Sequence, residues 1–103
     1  MSDARAVATV HTLKTWPEYF QPLLDGVKHF EVRQNDRGFQ VGDTLRLQEY
    51  DPLHQRGYSG RELLRTVTYM TDFGQRDRFV VLGLDITAAL EARERAVWEE
   101  AEK

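Results

Sequence analysis

The sequence predicts an α+β domain. The expected architecture is a small, mixed, mostly antiparallel β-barrel of about five strands, with a short helix after the first strand and a C-terminal helix. Three observations predict it. Short stretches of alternating polarity recur along most of the chain, separated by turn signals. Only the first connection is long enough to hold a crossover helix, which argues against a doubly wound sheet. The run Phe79–Ile86 is nearly continuously apolar, as expected of a strand covered on both faces or closing a barrel.

Val7 to Lys14 alternates weakly and reads as the first strand. Thr15 and Glu18 have capping-box spacing, with Pro17 in the first turn of the helix that follows. Trp16, Phe20, Leu23 and Leu24 recur at helical spacing, and Gly26 is placed to end that helix in a left-handed conformation. The second strand runs from about His29 to Gln34. Period two sends Phe30 and Val32 one way, and His29, Glu31, Arg33 and Asn35 the other. The expectation is an apolar face turned inward and a polar face turned out.

Arg37-Gly38 reads as a turn, Phe39 to Val41 as a short extension, and Gly42-Asp43 as a second turn. Thr44 to Tyr50 is the clearest strand, with Leu45, Leu47 and Glu49 on one face. A carboxylate on an inward face is either paired or stands at a cavity mouth. Asp51 to Gly60 reads as a long hairpin loop, and Glu62 to Met70 as the fourth strand. Thr71 to Arg78 is a turn around Gly74, before the last strand. Thr87 is placed to cap a final helix whose apolar positions are Leu90, Val97 and Trp98. The expected organisation is a flexible segment 1–6, one domain 7–87 and a helix 88–103.

Composition bounds the function. A chain of 103 residues supports one core. It has no cysteine, which excludes disulfides and thiolate metal sites and suits a reducing cytoplasm, the expected location. Neither a signal peptide nor a run able to span a bilayer is present, so no membrane partner is expected. The net charge of −3 argues against a broadly basic nucleic-acid binder. Part of it comes from Glu91, Glu94, Glu99, Glu100 and Glu102 near the end, which leaves room for a local basic patch. His11, His29 and His54 lack metal-ligand spacing, so neither metal nor cofactor is expected.

The chemistry concentrates between Gly26 and Asp43. The order Leu23, Leu24, Gly26, Lys28, Glu31, Arg33, followed by Val41, Gly42 and Asp43, resembles the ASCH domain of the PUA-like superfamily. Leu13, Lys14 and Pro17 match the start of that domain. The run Asn35-Asp36-Arg37 with Phe39, then Glu49-Tyr50-Asp51 and Tyr58, Gly60 and Arg61, is similar to a bacterial and phage branch of it. The resemblance covers about Thr9 to Ile86. It implies a PUA-like barrel and a cleft for RNA or a nucleotide, lined by Lys14, Lys28, Glu31, Arg33, Asn35 and Arg37. Glu49 and Arg61 are expected nearby, and Trp16 is placed to stack on a base.

The alternative is a small hydrolase acting on a modified nucleoside or on single-stranded RNA, with Lys28 and Glu31 as an acid–base pair. One ASCH branch hydrolyses acetylated cytidine, using a lysine at the position of Lys28 and a threonine where this chain has Glu31. That branch also draws an acid from a helical insertion, for which Thr71 to Arg78 is too short. A third reading makes the acidic C-terminal helix a protein-interaction or homodimer surface.

Overall fold

A computed structural model describes residues 8–53 and 57–87. The expected segment 1–6, His54 and the expected helix 88–103, with Leu90, Val97 and Trp98, lie outside the described residues. The order of elements is β1 (Val10–Thr15), α1 (Pro17–Leu24), β2 (Phe30–Gln34), β3 (Thr44–Tyr50), β4 (Tyr58–Thr71) and β5 (Phe79–Leu84). The strands form one mixed sheet in the order β1-β3-β4-β5-β2. Only β1 and β3 are parallel; the other three pairs are antiparallel. The domain is therefore α+β.

The sheet is open. No ladder joins β1 to β2, which are its two edges. Side chains cross the gap instead. Arg33 Nη2 donates to the Lys14 carbonyl at 2.9 Å, and Arg37 Nη1 donates to the Thr12 carbonyl at 2.9 Å. The long β4 belongs to both halves of the sheet, pairing with β3 through its first part and with β5 through its second. A ladder irregularity falls on each side, at Gln48–Tyr50 and at Val67–Tyr69. Such interruptions increase local bend and twist.

The core is built of buried apolar side chains. It contains Leu13, Phe20, Leu23, Phe39, Leu45, Leu47, Val67, Val80, Leu82 and Leu84. Helix α1 supplies Phe20 and Leu23, both fully buried, and packs on β3. Its N-cap is Trp16, with no side-chain cap; the expected capping box does not form. Thr15 is instead the buried last residue of β1, and its Oγ1 accepts from Arg33 Nη2 at 3.2 Å. Gly26, at φ 77°, ends the helical segment in the left-handed region that glycine enters without strain. Arg65 is buried and donates from Nη2 to the Leu23 carbonyl at 3.1 Å, a second donor to a carbonyl that also accepts from the Gly26 N–H at 3.2 Å. Desolvation holds the Arg65 guanidinium below its ordinary pKa range, partly offset by Asp85.

The Val41-Gly42-Asp43 turn fastens several strands at once. Gly42 takes φ 98°. Asp43 follows, 2% exposed, and its carboxylate gathers at least three donors. Among them are the Thr9 N–H at 3.2 Å, the Gln40 N–H at 3.0 Å and His11 Nε2 at 2.8 Å. His11 rests edge-on against Phe39, with ring centroids 4.7 Å apart. The short extension Phe39–Val41 is not part of a strand; Phe39 turns into the core from an irregular segment.

Two further expectations are corrected. Tyr58, Ser59 and Gly60 belong to β4 rather than to the preceding loop. More consequentially, the polarity of β2 is reversed. Glu31 is 3% exposed and lies inside, opposite Leu82, whereas Phe30 and Val32 are each 45% exposed. The alternation is real, but the apolar pair faces out. A carboxylate can lie on the inner face because two cations of its own segment neutralise it.

Candidate functional site

Strand β2 supplies the centre of the site. Lys28 Nζ donates to Glu31 Oε1 at 3.1 Å, and Arg33 Nε donates to Glu31 Oε2 at 3.0 Å. Each carboxylate oxygen therefore has its own cation. The side chains of Lys28 and Arg33 stay 19% and 25% exposed, so this charged triad is roofed on one side and open on the other. Arg33 is further fixed from β1 by the Lys14 carbonyl and Thr15 Oγ1. Its guanidinium is held by three groups on two strands, which sets its orientation before any ligand arrives.

The triad faces a cleft of about 640 Å³ in the gap between the end of β1, helix α1 and β2. Trp16 and Tyr19 wall it from the helix side, each about half exposed, and Phe30 and Val32 from the strand side. Lys28 Nζ sits 5.0 Å from the Tyr19 ring centroid and 5.3 Å from that of Phe30. The arrangement is a polar, charge-ordered floor between exposed aromatic walls. Chemically it can hold a flat ring by stacking and an anionic or hydrogen-bonding group at the floor.

Of the residues singled out in the sequence, Lys14, Trp16, Lys28, Glu31 and Arg33 line this cleft. Lys14 lies at one end of the cleft lining. Its ammonium is drawn toward Tyr50 and Tyr58, 4.5 Å and 5.9 Å from their ring centroids. Strands β1 and β2 are not paired, and the open gap between them makes the cleft.

Asn35, Arg37, Glu49 and Arg61 do not line the cleft. The Asn35 carboxamide oxygen accepts from the Phe39 N–H at 3.0 Å and shapes the turn after β2. Arg37 is spent on the Thr12 carbonyl. Glu49 is buried and accepts from Ser59 Oγ at 2.6 Å and from Arg61 Nε at 2.9 Å. Arg61 also donates to Gln21 Oε1 at 3.0 Å and lies 5.1 Å over the Phe20 ring, tying α1 to β4. Glu49 and Arg61 line a separate, smaller depression of about 340 Å³ with Tyr58. Thr15, Tyr19, Phe30 and Val32 line the main cleft without having been expected there.

A family described as "Domain of unknown function (DUF3850)" matches residues 10–84, which run from the first residue of β1 to the last of β5. The chain belongs to this family. The DUF3850 match thus contains every strand and the whole cleft. A protein of Escherichia phage P2, described as "Uncharacterized 12.9 kDa protein in GpA 3'region", is 36% identical over 66 residues. The match covers 64% of this chain and 58% of that relative, so the chain spans less than two thirds of the phage protein. No helix among the described residues of this DUF3850 domain is long and apolar enough to cross a membrane. Nor do the described residues hold a group of three or more His, Asp or Glu placed for a metal ion.

The Glu49–Arg61 pair gives a pH prediction. Hydrogen bonds from Arg61 first, then Ser59, hold the Glu49 carboxyl below its ordinary pKa of about 4.5. A depressed native pKa stabilises the fold above the unfolded-state value, and that stability is lost as pH falls through the native value. Wild type should therefore melt above Glu49→Gln at pH 7, and the gap should close as pH falls below about 4.5. Melting temperatures of both proteins between pH 7 and pH 3 check this. A gap constant across that range would mean the pair does not couple to folding.

Proposed function

We propose that this domain binds RNA or a nucleotide in the cleft floored by Lys28, Glu31 and Arg33, as an ASCH-like, PUA-like module. The observation that carries the reading is the joint placement of an ordered charged triad and exposed aromatic walls in one cleft. Base stacking on an aromatic side chain contributes about 1–3 kcal/mol per base and tolerates any base. Trp16, Tyr19 and Phe30 offer such faces. Arg33 and Lys28 offer donors to phosphate, or to base and ribose oxygens. The two bent halves of the sheet, with the gap bridged by Arg33 and Arg37, suit the PUA-like barrel that the sequence resembles.

Fluorescence anisotropy with a short single-stranded RNA and with single nucleotides tests the reading. Few cations face the cleft, so the logarithm of affinity should fall with the logarithm of salt at a slope of only about two. Absence of binding to both probes at low salt would overturn the proposal. A salt-independent affinity would restrict it to a neutral nucleoside.

One observation favours a second reading. The Lys28 ammonium lies 3.1 Å from the buried Glu31 carboxylate at the cleft floor, a distance suited to passing a proton. Such a pair could serve a hydrolase acting on a modified nucleoside or on single-stranded RNA. Turnover of either by the pure protein, lost in Lys28→Met, would establish it.

A further inference from the structure

Aromatic side chains continue past the edge of the cleft. Tyr50 and Tyr58 stand opposite each other in the β3–β4 ladder, with ring centroids 4.9 Å apart and planes at 68°. Tyr58 is 46% exposed and lines the smaller depression with Glu49 and Arg61. The chain is shaped to hold this pair. Gly57, at φ 71°, packs against the Tyr50 ring, and its carbonyl accepts from the Asp51 N–H at 2.7 Å. A Cβ at Gly57 would lie 2.5 Å from Tyr50 Cε1, so only glycine leaves the ring where it stands.

The pair adjoins the cleft. Thr15 of the cleft and Glu49 of the depression are partners in the β1–β3 ladder, one inter-strand spacing of about 5 Å apart. Lys14 joins the two hollows. It lines the cleft, and its ammonium lies 4.5 Å from the Tyr50 ring centroid and 5.9 Å from that of Tyr58. Charge singles this lysine out. Lys28 and Arg33 are both paired with Glu31, Arg61 with Glu49, and Arg46 with Glu62. Lys14 pairs with no carboxylate among the described residues. Its charge is met by ring faces, and a phosphate is a stronger partner than those. Exposed rings in the cleft, then a cation without a carboxylate, then a further exposed ring form the layout that holds successive bases of one strand.

We infer, building on the reading of the cleft as an RNA site, that the ligand is a single-stranded oligonucleotide. One base stacks in the cleft, a second stacks on Tyr58, and the Lys14 ammonium takes a phosphate between them. Tyr50, set by Gly57, braces the Tyr58 ring. A single nucleotide would fill the cleft and leave Lys14 and Tyr58 unused.

Isothermal titration calorimetry of the full chain tests this, with the ribonucleoside monophosphates and the matching homopolymeric RNA tetranucleotides as probes. The tetranucleotide of the preferred base should bind wild type at least roughly tenfold tighter than its monophosphate, the margin that one more base stacked on an aromatic ring supplies. Tyr58→Leu keeps apolar bulk but removes the stacking ring. It should lose most of that margin and bind the monophosphate as wild type does, while Tyr58→Phe should keep the margin. Lys14 is exposed, so Lys14→Gln leaves the fold in place, and it should lower the salt slope for the tetranucleotide by about one. Melting curves establish which variants fold, and the wild-type comparison of lengths decides even where Tyr58→Leu does not. Equal affinity of wild type for both lengths, an undiminished margin in folded Tyr58→Leu, or an unchanged salt slope in Lys14→Gln would overturn the inference and leave the cleft reading standing. Absence of binding by every probe would overturn the cleft reading, and the inference with it.

Discussion

Replacing Asp43 by alanine should nearly unfold the domain. Asp43 is buried, and its carboxylate takes the N–H groups of Thr9 and Gln40 together with His11 Nε2. Alanine would leave the buried His11 ring, and the Thr9 and Gln40 N–H groups in their part-buried hydrogen bonds, without this acceptor. Each buried donor left without its acceptor costs about 1–3 kcal/mol. For a domain of this size each kcal/mol moves the melting temperature by roughly 4–8 °C. The Asp43→Ala protein should therefore melt well over 10 °C below wild type, or fail to fold at 37 °C. Asp43→Asn retains one acceptor oxygen and presents an amide to the remaining donors, at a cost of about 1–3 kcal/mol. Urea unfolding of the two variants measures this. A loss below about 1 kcal/mol in Asp43→Ala would show that the turn, rather than the carboxylate, holds β1, β3 and β4 together.

The second large effect falls on ligand binding at Arg33. Its guanidinium serves Glu31, the Lys14 carbonyl and Thr15 Oγ1, while a quarter of the side chain remains open to the cleft. Arg33→Ala should cost about 1–3 kcal/mol of stability, less than a fully stranded carboxylate would, because Lys28 still neutralises Glu31. On the proposed function, binding of the RNA or nucleotide probe should weaken by a factor of ten or more, the loss of roughly one charge-assisted hydrogen bond. Arg33→Lys should restore much of the stability and little of the affinity, since an ammonium lacks the planar fork. Melting temperature and probe affinity, taken on the same two proteins, separate the roles. Full affinity in a folded Arg33→Ala protein would remove Arg33 from the site.

Much of the fold was legible because local signals agreed with the tertiary arrangement. Strand β3 was predicted over its observed length, with Leu45, Leu47 and Glu49 on one buried face. Phe20 and Leu23 declared the helix, and Gly26 its end. The site was legible as a cluster of Lys28, Glu31 and Arg33, but its inside and outside were exchanged. Alternation fixes which residues share a face and says nothing of which face the rest of the chain covers. Phe30 and Val32 read as core because apolar side chains usually are, yet here they wall a cleft and face outward. Glu49 and Arg61 presented the opposite difficulty. Their charge suggested a ligand, and a partner 12 residues away answers it. Thr15 and Glu18 matched a capping box by spacing, but the helix begins too late for Thr15 to serve it.

The arginine bridge between β1 and β2 has a consequence for how the molecule behaves among its own kind. An edge strand offers a row of open carbonyls on which a neighbour's backbone can add itself, the first step toward fibrous or amorphous deposits. In β1 the carbonyls of Thr12 and Lys14, two residues apart, are occupied by Arg37 and Arg33. An incoming strand would have to displace two guanidiniums and bring its own backbone against their charge. The side chains that close the gap thus also act as gatekeepers, keeping in solution a sheet that would otherwise invite extension from crowded copies.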